Sequence, residues 1–374
     1  MIKYCKRCIT PTTRPGLILD NDGICQGCRY FETLKEIDWD KRKAELNNIL
    51  KWARDKKSPQ GYDAIVSVSG GKDSLRQALY ARDSLGLNVL LVSTRYPPEK
   101  VTEVGVRNFD NLVSLGFDTI SITPNPEIYK KLMKKCFYEY GNIYKASESI
   151  VYASAHKIAI MYDIPLILLG ENGSLVYGDK ASNKDGGIAK NIRNNNTIGG
   201  GDLSIYIDEE LDIKEEDLNA FEIPYYNDED LKVIYLGYYM KDFSQITNAV
   251  YAMTYGLDYI HEPLNKLGTI YNFGQTDTDF MPMNQLIKFY KFGFGKASED
   301  LSELIKLGIM SRETAIELAK TLDGKCDRKY ILMFCDYIGI SEKEFWEVAE
   351  KYRNQDIWKK NKYGKWELDS EFYK

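Results

Sequence analysis

Histidine is nearly missing from this sequence, long apolar runs are absent, and neither sign of charge dominates. Only His156 and His261 occur in 374 residues. His156 falls on a predicted helix and His261 stands before Glu262-Pro263, so each reads as structural and chemistry built on a histidine base is disfavoured. No stretch approaches the roughly 18–20 apolar residues of a membrane span. The start, Met-Ile-Lys-Tyr-Cys-Lys-Arg-Cys, lacks an apolar signal region, so a cytoplasmic protein with no membrane contact is expected. Lys plus Arg is 50 and Asp plus Glu is 55, a formal charge of −5. That leaves no overall footprint for nucleic acid, although a local basic face stays open. There is no internal repeat and no long low-complexity tract.

What is present is a chain of ordinary globular composition, 44% hydrophobic and 28% charged, long enough for two units or one large domain with appendages. Four of its seven cysteines form Cys5-x2-Cys8-x16-Cys25-x2-Cys28. In a chain without a secretion signal this spacing points to structural Zn2+. Four thiolates close a tetrahedral shell and leave no position for substrate. A redox pair and an iron–sulfur site are the alternatives. Cys136, Cys326 and Cys335 lie in apolar helical contexts and are given no role.

Residues 1–35 read as a zinc-ribbon-like module and 36–60 as a connecting amphipathic helix, centred on 38–57. Residues 61–240 follow a strand–helix rhythm. Buried strands are predicted at 63–69 and 88–94, further strands at 117–122 and 164–169, and helices at 73–85, 99–115, 126–140 and 146–162. That alternation predicts an α/β fold with a doubly wound, mostly parallel sheet. Residues 173–230, rich in Asn, Asp and Gly with Asn194-Asn195-Asn196 and Gly199-Gly200-Gly201, read as an insertion covering the site. Residues 241–374 read as a mostly helical region, with helical spacing at 300–307, 312–322 and 342–352.

The central signal is Ser69-Gly70-Gly71-Lys72-Asp73-Ser74 between a predicted strand and helix. Glycines let backbone amides turn toward phosphate oxygens, and the following helix adds its N-terminal amides. Ser69 and Ser74 offer hydroxyls, and Lys72 offers a point charge. Asp73 cannot bind phosphate directly; it suits Mg2+ held against a pyrophosphate, or orientation of the loop. The spacing is neither a Walker A loop nor a dinucleotide fingerprint. It resembles the PP-loop of the ATP pyrophosphatase superfamily, Ser-Gly-Gly-x-Asp-Ser. That resemblance implies a HUP-like fold, ATP, release of pyrophosphate and transfer of AMP to a carbonyl or amide oxygen, which a nitrogen or sulfur nucleophile then displaces.

Further stretches narrow the resemblance. They are Cys5-x2-Cys8 with Thr10-Pro-Thr-Thr-Arg-Pro15, Tyr62–Ser74, Leu169-Gly-Glu-Asn172, Ile223-Pro-Tyr-Tyr226, Tyr235-Leu-Gly-Tyr-Tyr239, Lys291-Phe-Gly-Phe-Gly295 and Ile309-Met-Ser-Arg-Glu313. Together they resemble the N-acetyl sugar amidotransferases of bacterial lipopolysaccharide and nonulosonic-acid (pseudaminic, legionaminic) biosynthesis. The resemblance implies conversion of an N-acetyl group to an acetamidino group on a nucleotide-linked aminouronic acid or a nonulosonic acid. It also implies a glutaminase subunit and a cyclase-like ammonia-channelling subunit. The chain itself carries no glutaminase machinery, since position 2 is Ile and no Gly-x-Cys-x-Gly elbow exists. One departure is the segment Met283–Tyr290, which lacks the histidine that relatives tend to carry before Lys-Phe-Gly-Phe-Gly. The sugar bound here can therefore differ.

The expected catalytic residues are Lys72, Asp73 and Ser74. Ser67, Ser69, Gly70, Gly71, Thr94 and Gly170 are expected to join them around the nucleotide, with Arg95 near the adenosine. Glu171 and Asn172 end the fourth predicted strand, where open parallel sheets bind ligands, and are candidates for substrate or metal contact against the alternative of a helix cap. Lys296 and Arg312 are candidate contacts to a carboxylate or phosphate of the sugar, against the alternative of a solvated helix face. The rival functions are a tRNA-modifying enzyme of thiolation or lysidine type, and a non-catalytic binding module.

Overall fold

The computed structural model describes residues 2–97, 102–146, 148–177, 186–189, 192 and 201–372. Short apolar runs form five strands: β1 (Ala64–Val68), β2 (Val89–Thr94), β3 (Asp118–Ile122), β4 (Leu166–Leu169) and β5 (Lys232–Tyr235). They pair in the order β3-β2-β1-β4-β5, and every pairing is parallel. Parallel strands are buried on both faces, and this dictates their composition. Ala64, Val66 and Val68 of β1 face one apolar core, with Leu91 of β2 and Leu166 and Leu168 of β4. Ile65, Leu90, Val92, Ile167 and Leu169 face a second core on the other side.

Helices cover both cores. α1 (Gln26–Thr33) precedes the sheet and α2 (Trp39–Lys56) lies on the first face through Leu46, Leu50 and Ala53, beside α3 (Lys72–Leu79) and α4 (Glu103–Ser114). After α5 (Pro126–Tyr140), α6 (Ser149–Met161) covers the second face through Ala155, Ile158 and Ala159. Short helices α7 (Gly173–Tyr177) and α8 (Glu215–Leu218) flank the segment before β5, and α9 (Gln245–Thr254) packs Ala252 onto the first face. The chain continues through α10 (Leu264–Leu267), α11 (Met281–Phe292), α12 (Lys296–Lys306), α13 (Arg312–Leu322), α14 (Arg328–Ile338) and α15 (Glu342–Lys351). An antiparallel hairpin, β6 (Trp358–Lys360) and β7 (Trp366–Leu368), follows. Its Trp358 and Leu368 share a core with Ile2 and Tyr4, so the chain's first strand-like residues pack against its last.

Several elements depart from the sequence expectations, among them the β6–β7 hairpin within the stretch read as mostly helical. The helix expected at 73–85 ends as α3 at Leu79 and widens into a π-turn over Tyr80–Ser84. The helix expected at 99–115 begins at Glu103, because Thr102 caps it by accepting from the Gly105 amide at 2.8 Å; residues 99–101 lie outside the described residues. Strand β5 has no counterpart among the sequence expectations. It follows the Asn-, Asp- and Gly-rich stretch 173–230, where the strand–helix rhythm that made the equally short β4 legible is lost. Asn194–Asn196 and Gly199–Gly200 lie outside the described residues.

Candidate functional site

From β1 the chain winds outward through β2 and β3, then returns to place β4 on the other side of β1. The loops leaving β1 and β4 therefore diverge at one end of the sheet, and a crevice opens between them. Open α/β sheets bind ligands at such switch points. The loop after β1 is Ser69–Gly71; the loop after β4 is Gly170–Asn172.

The first loop is tightly built. Gly70 has φ +91°, and a Cβ there would stand 2.9 Å from the Phe109 amide nitrogen, so only glycine fits. The Ser74 Oγ accepts from the Ser69 amide at 3.0 Å and lies 3.3 Å from Ser69 Oγ, which ties the loop to the first turn of α3. Lys72 is 9% exposed, and its Nζ donates to Asp73 Oδ2 at 2.7 Å. Asn248, buried in α9, donates from Nδ2 to the other Asp73 oxygen at 2.8 Å. Burial disfavours the Lys72 charge, but the adjacent Asp73 overrides it and holds the lysine pKa above its ordinary value. The ammonium is thus charged and aimed, as a group that must neutralise phosphate requires.

A cavity of about 210 Å³ lies beside the loop, lined among others by Lys72, Asp73, Glu171, Tyr177, Lys296 and Glu303. A second, of about 150 Å³, shares Phe31, Glu171, Val176, Phe243 and Ser244 with it and adds Tyr30, Trp39 and Tyr238. The surface that Glu171 exposes faces these cavities, and protein surrounds it. Burial and the neighbouring Asp73 charge push its carboxyl pKa upward. Lys296, the first residue of α12, is paired with the fully buried Asp300, whose second oxygen accepts from Thr269 Oγ1 at 3.0 Å. Burial opposes the Lys296 charge, and Asp300 outweighs it, so the ammonium persists. Gln245 opens α9 by donating its backbone amide to Glu303 at 3.1 Å. On the β2 side, Ser69, Ser93, Thr94, Arg95, Phe109 and Asp277 line a narrower pocket, and the Arg95 guanidinium lies 4.8 Å over the Phe109 ring. Burial raises the Asp277 carboxyl pKa there.

The cysteine cluster is a separate centre. Cys5, Cys8, Cys25 and Cys28 are buried, with all four sulfurs within 4.8 Å of one another. Four sulfurs at about 2.3 Å from one zinc lie about 3.8 Å apart. Cys5 to Cys28 measures 3.8 Å and Cys8 to Cys25 measures 3.7 Å. A disulfide needs about 2.05 Å. Backbone amides of Arg7, Thr10, Cys25 and Cys28 point at the sulfurs from 3.3–3.5 Å. Hydrogen bonds from Cys25 and Cys28 lower the Cys8 thiol, while the shared cluster raises Cys28. Four clustered sulfurs cannot all ionise without a cation, and the set fits a structural zinc.

Several expected site residues meet at the crevice: Ser69, Gly70, Gly71, Lys72, Asp73, Ser74, Gly170, Glu171 and Lys296; Thr94 and Arg95 line the narrower pocket on the β2 side. Others are placed elsewhere. Ser67 lies within β1, paired with Val92. The Thr94 hydroxyl turns back toward Ser154 Oγ at 3.0 Å. Asn172 does line the second cavity, but it is 4% exposed and donates to the Gly186 carbonyl at 2.9 Å, while its backbone carbonyl opens α7. Arg312 is absent from the lining of both cavities. Its guanidinium donates to the Cys8 and Cys5 carbonyls at 3.2 and 3.4 Å and braces the cysteine module. Sequence reasoning missed Phe31, Gln245, Asn248, Asp277 and Glu303. None sits in a motif, and only the tertiary fold brings them to the crevice.

Residues 268–372 match the family model described as LPS biosynthesis protein WbpG-like, C-terminal domain. This stretch is thereby similar to the C-terminal domain of a lipopolysaccharide-biosynthesis family. It contributes Gly274, Gln275, Lys296 and Glu303 to the larger cavity and Asp277 to the narrower pocket. No curated protein matches the chain. No helix among the described residues is long and apolar enough to cross a membrane.

Proposed function

We propose that the chain is an ATP-dependent, AMP-forming amidotransferase of lipopolysaccharide or related surface-glycan biosynthesis. It would convert an N-acetyl group of a sugar to an acetamidino group. The observation that carries the reading is the placement of Ser69–Ser74 at the switch point of a parallel sheet, with a walled cavity at Lys72 to which the WbpG-like stretch contributes. ATP would supply the AMP that turns the acetamido oxygen into a leaving group. The loop suits that nucleotide: a turn at Gly70 that no Cβ can occupy, two hydroxyls, and a buried ammonium.

In this reading Ser69, Gly70, Gly71 and Ser74 hold phosphate oxygens, and Lys72 stabilises the charge that develops on the transferred phosphorus centre. Asp73 orients Lys72, with Asn248 fixing its second oxygen, and has lone pairs left for Mg2+. Glu171 and Lys296 face the sugar. Ammonia comes from a glutaminase subunit through a cyclase-like subunit, and both are proposed partners.

The test is incubation of the purified protein with ATP, Mg2+, high ammonium and a panel of N-acetylated nucleotide sugars and nonulosonic acids. AMP, pyrophosphate and a product about one mass unit lighter are expected, as replacement of oxygen by imino nitrogen requires. AMP release with bulk tRNA and with no sugar would replace this reading with tRNA modification.

A further inference from the structure

The cysteine module reaches the larger cavity. Cys25 caps α1, its Sγ accepting from the Cys28 amide, and Cys28 lies in the first turn of that helix. Phe31 stands one turn further along α1 and lines both cavities. The same face of α1, one turn back at Gly27, rests on α7, whose Val176 and Tyr177 also line the larger cavity. The fit is close: a Cβ on Gly27 would stand 2.7 Å from the Val176 carbonyl oxygen and 3.0 Å from Lys306 Nζ. Lys306 Nζ donates to that same Val176 carbonyl at 3.0 Å. Arg14, between the two cysteine pairs, holds its guanidinium 4.8 Å over the Tyr177 ring and pairs with Glu299 at 2.5 Å. The wall formed by Phe31, Val176 and Tyr177 is therefore positioned by the segment that the four sulfurs fold. The loop Ser69–Ser74 is positioned differently, by β1, α3 and Asn248 of α9.

We propose that Phe31 is a specificity-determining residue of the substrate compartment, and that metal ligation by Cys5, Cys8, Cys25 and Cys28 positions it through α1. Ligation then sets the substrate half of the crevice and leaves the nucleotide loop unchanged. The ligand facing Phe31 and Tyr177 is a ring with an apolar face, such as the sugar of the reading above. That identity rests on the reading; the mechanical link from sulfurs to wall does not.

The experiment starts with the metal content of the purified full-length protein, followed by amide hydrogen exchange before and after chelation. Bound metal is expected. After chelation, α1 and residues 173–177 should exchange at least about tenfold faster, while α3 changes by less than about twofold, since local openings are independent where packing is independent. Protein without metal, or exchange that rises equally in α3 and α7, overturns the proposal.

Two variants that leave the cysteines intact carry the specificity claim. Gly27→Ala and Phe31→Ala should each raise KM for the N-acetylated sugar by about tenfold or more, the effect of about 1.4 kcal/mol. KM for ATP should stay within about twofold, and Phe31→Tyr should restore sugar KM. Equal changes in both KM values, or no change in either, overturn the proposal. If the wild type turns over no sugar, the functional reading fails alone, because the exchange data still decide the link from metal to wall.

Discussion

All four sulfurs of the cysteine cluster come from residues 5–28, whereas the cavity beside Lys72 is assembled from side chains as distant as Phe31 and Glu303. In the cluster, a short segment brings its ligands together and needs only a cation to close the shell. In the cavity, every wall belongs to a different element, and a residue is useful only after the sheet, α9 and α12 have docked. The first kind of centre announces itself by spacing. The second announces only its most local part, the glycine loop.

The largest effect expected from breaking this contrast is at the cluster. Structural zinc contributes apparent binding energies of about 10–16 kcal/mol in small domains. Cys5→Ser should therefore release the metal and lower the unfolding free energy of the N-terminal segment by several kcal/mol, read by denaturant melting with metal analysis. A variant that melts like wild type and keeps its metal would show that the cluster is not what holds the segment.

Lys72→Ala comes next, because it removes the ammonium that pairs with Asp73 in the loop. A loss of about 10²–10³ in turnover is expected, the scale of one preorganised electrostatic contact. Steady-state AMP release is the measurement, with circular dichroism to check the fold. Unchanged turnover would take Lys72 out of the chemistry.

Gly70→Ala should act on stability as well as on binding. A residue forced to φ +91° with its Cβ against the Phe109 backbone costs about 1–3 kcal/mol. A matched fall in ATP affinity and in the urea midpoint is expected. A neutral result would mean that the loop relaxes without its glycine.

The smallest effect concerns the assembled side alone. Asp323, at the C-terminal end of α13, is 5% exposed and accepts from the Ser298 amide at 3.1 Å, near the start of α12. Burial raises its carboxyl pKa to about 6, against the lowering by Ser298 and the backbone amides. A folded-state pKa above the unfolded value favours the protonated fold. The stability it contributes is complete below about pH 4 and is lost as pH rises through about 6. Between pH 5 and 7.5 the loss is about 1 kcal/mol, and Asp323→Asn should flatten it. Urea midpoints at the two pH values check this, and an equal slope in the variant would clear Asp323.

Much of the molecule is legible in its sequence, for identifiable reasons. Strands β1, β2 and β4 are buried on both faces, so their apolar runs stand out between helical stretches, while edge strand β3 is legible by its place in the strand–helix alternation. The Ser-Gly-Gly-Lys-Asp-Ser loop is readable because backbone conformation, charge and capping must all come from adjacent residues. The expected role of Arg312 shows the limit. A basic residue at a helix start is equally suited to a substrate carboxylate and to the backbone carbonyls of a cysteine module, and the fold brought it to Cys5 and Cys8.

The local order of residues was enough to specify the parallel sheet, the glycine turn and the sulfur set, since each depends on forces acting over a few neighbouring positions. Tertiary packing alone chose Asn248 to hold Asp73, Thr269 to hold the second oxygen of Asp300, and Phe31 to wall the cavity. Those contacts join residues separated by 175 positions in the first case. Their energies depend on desolvation and on close approach between whole elements, and no pattern along the chain encodes that approach.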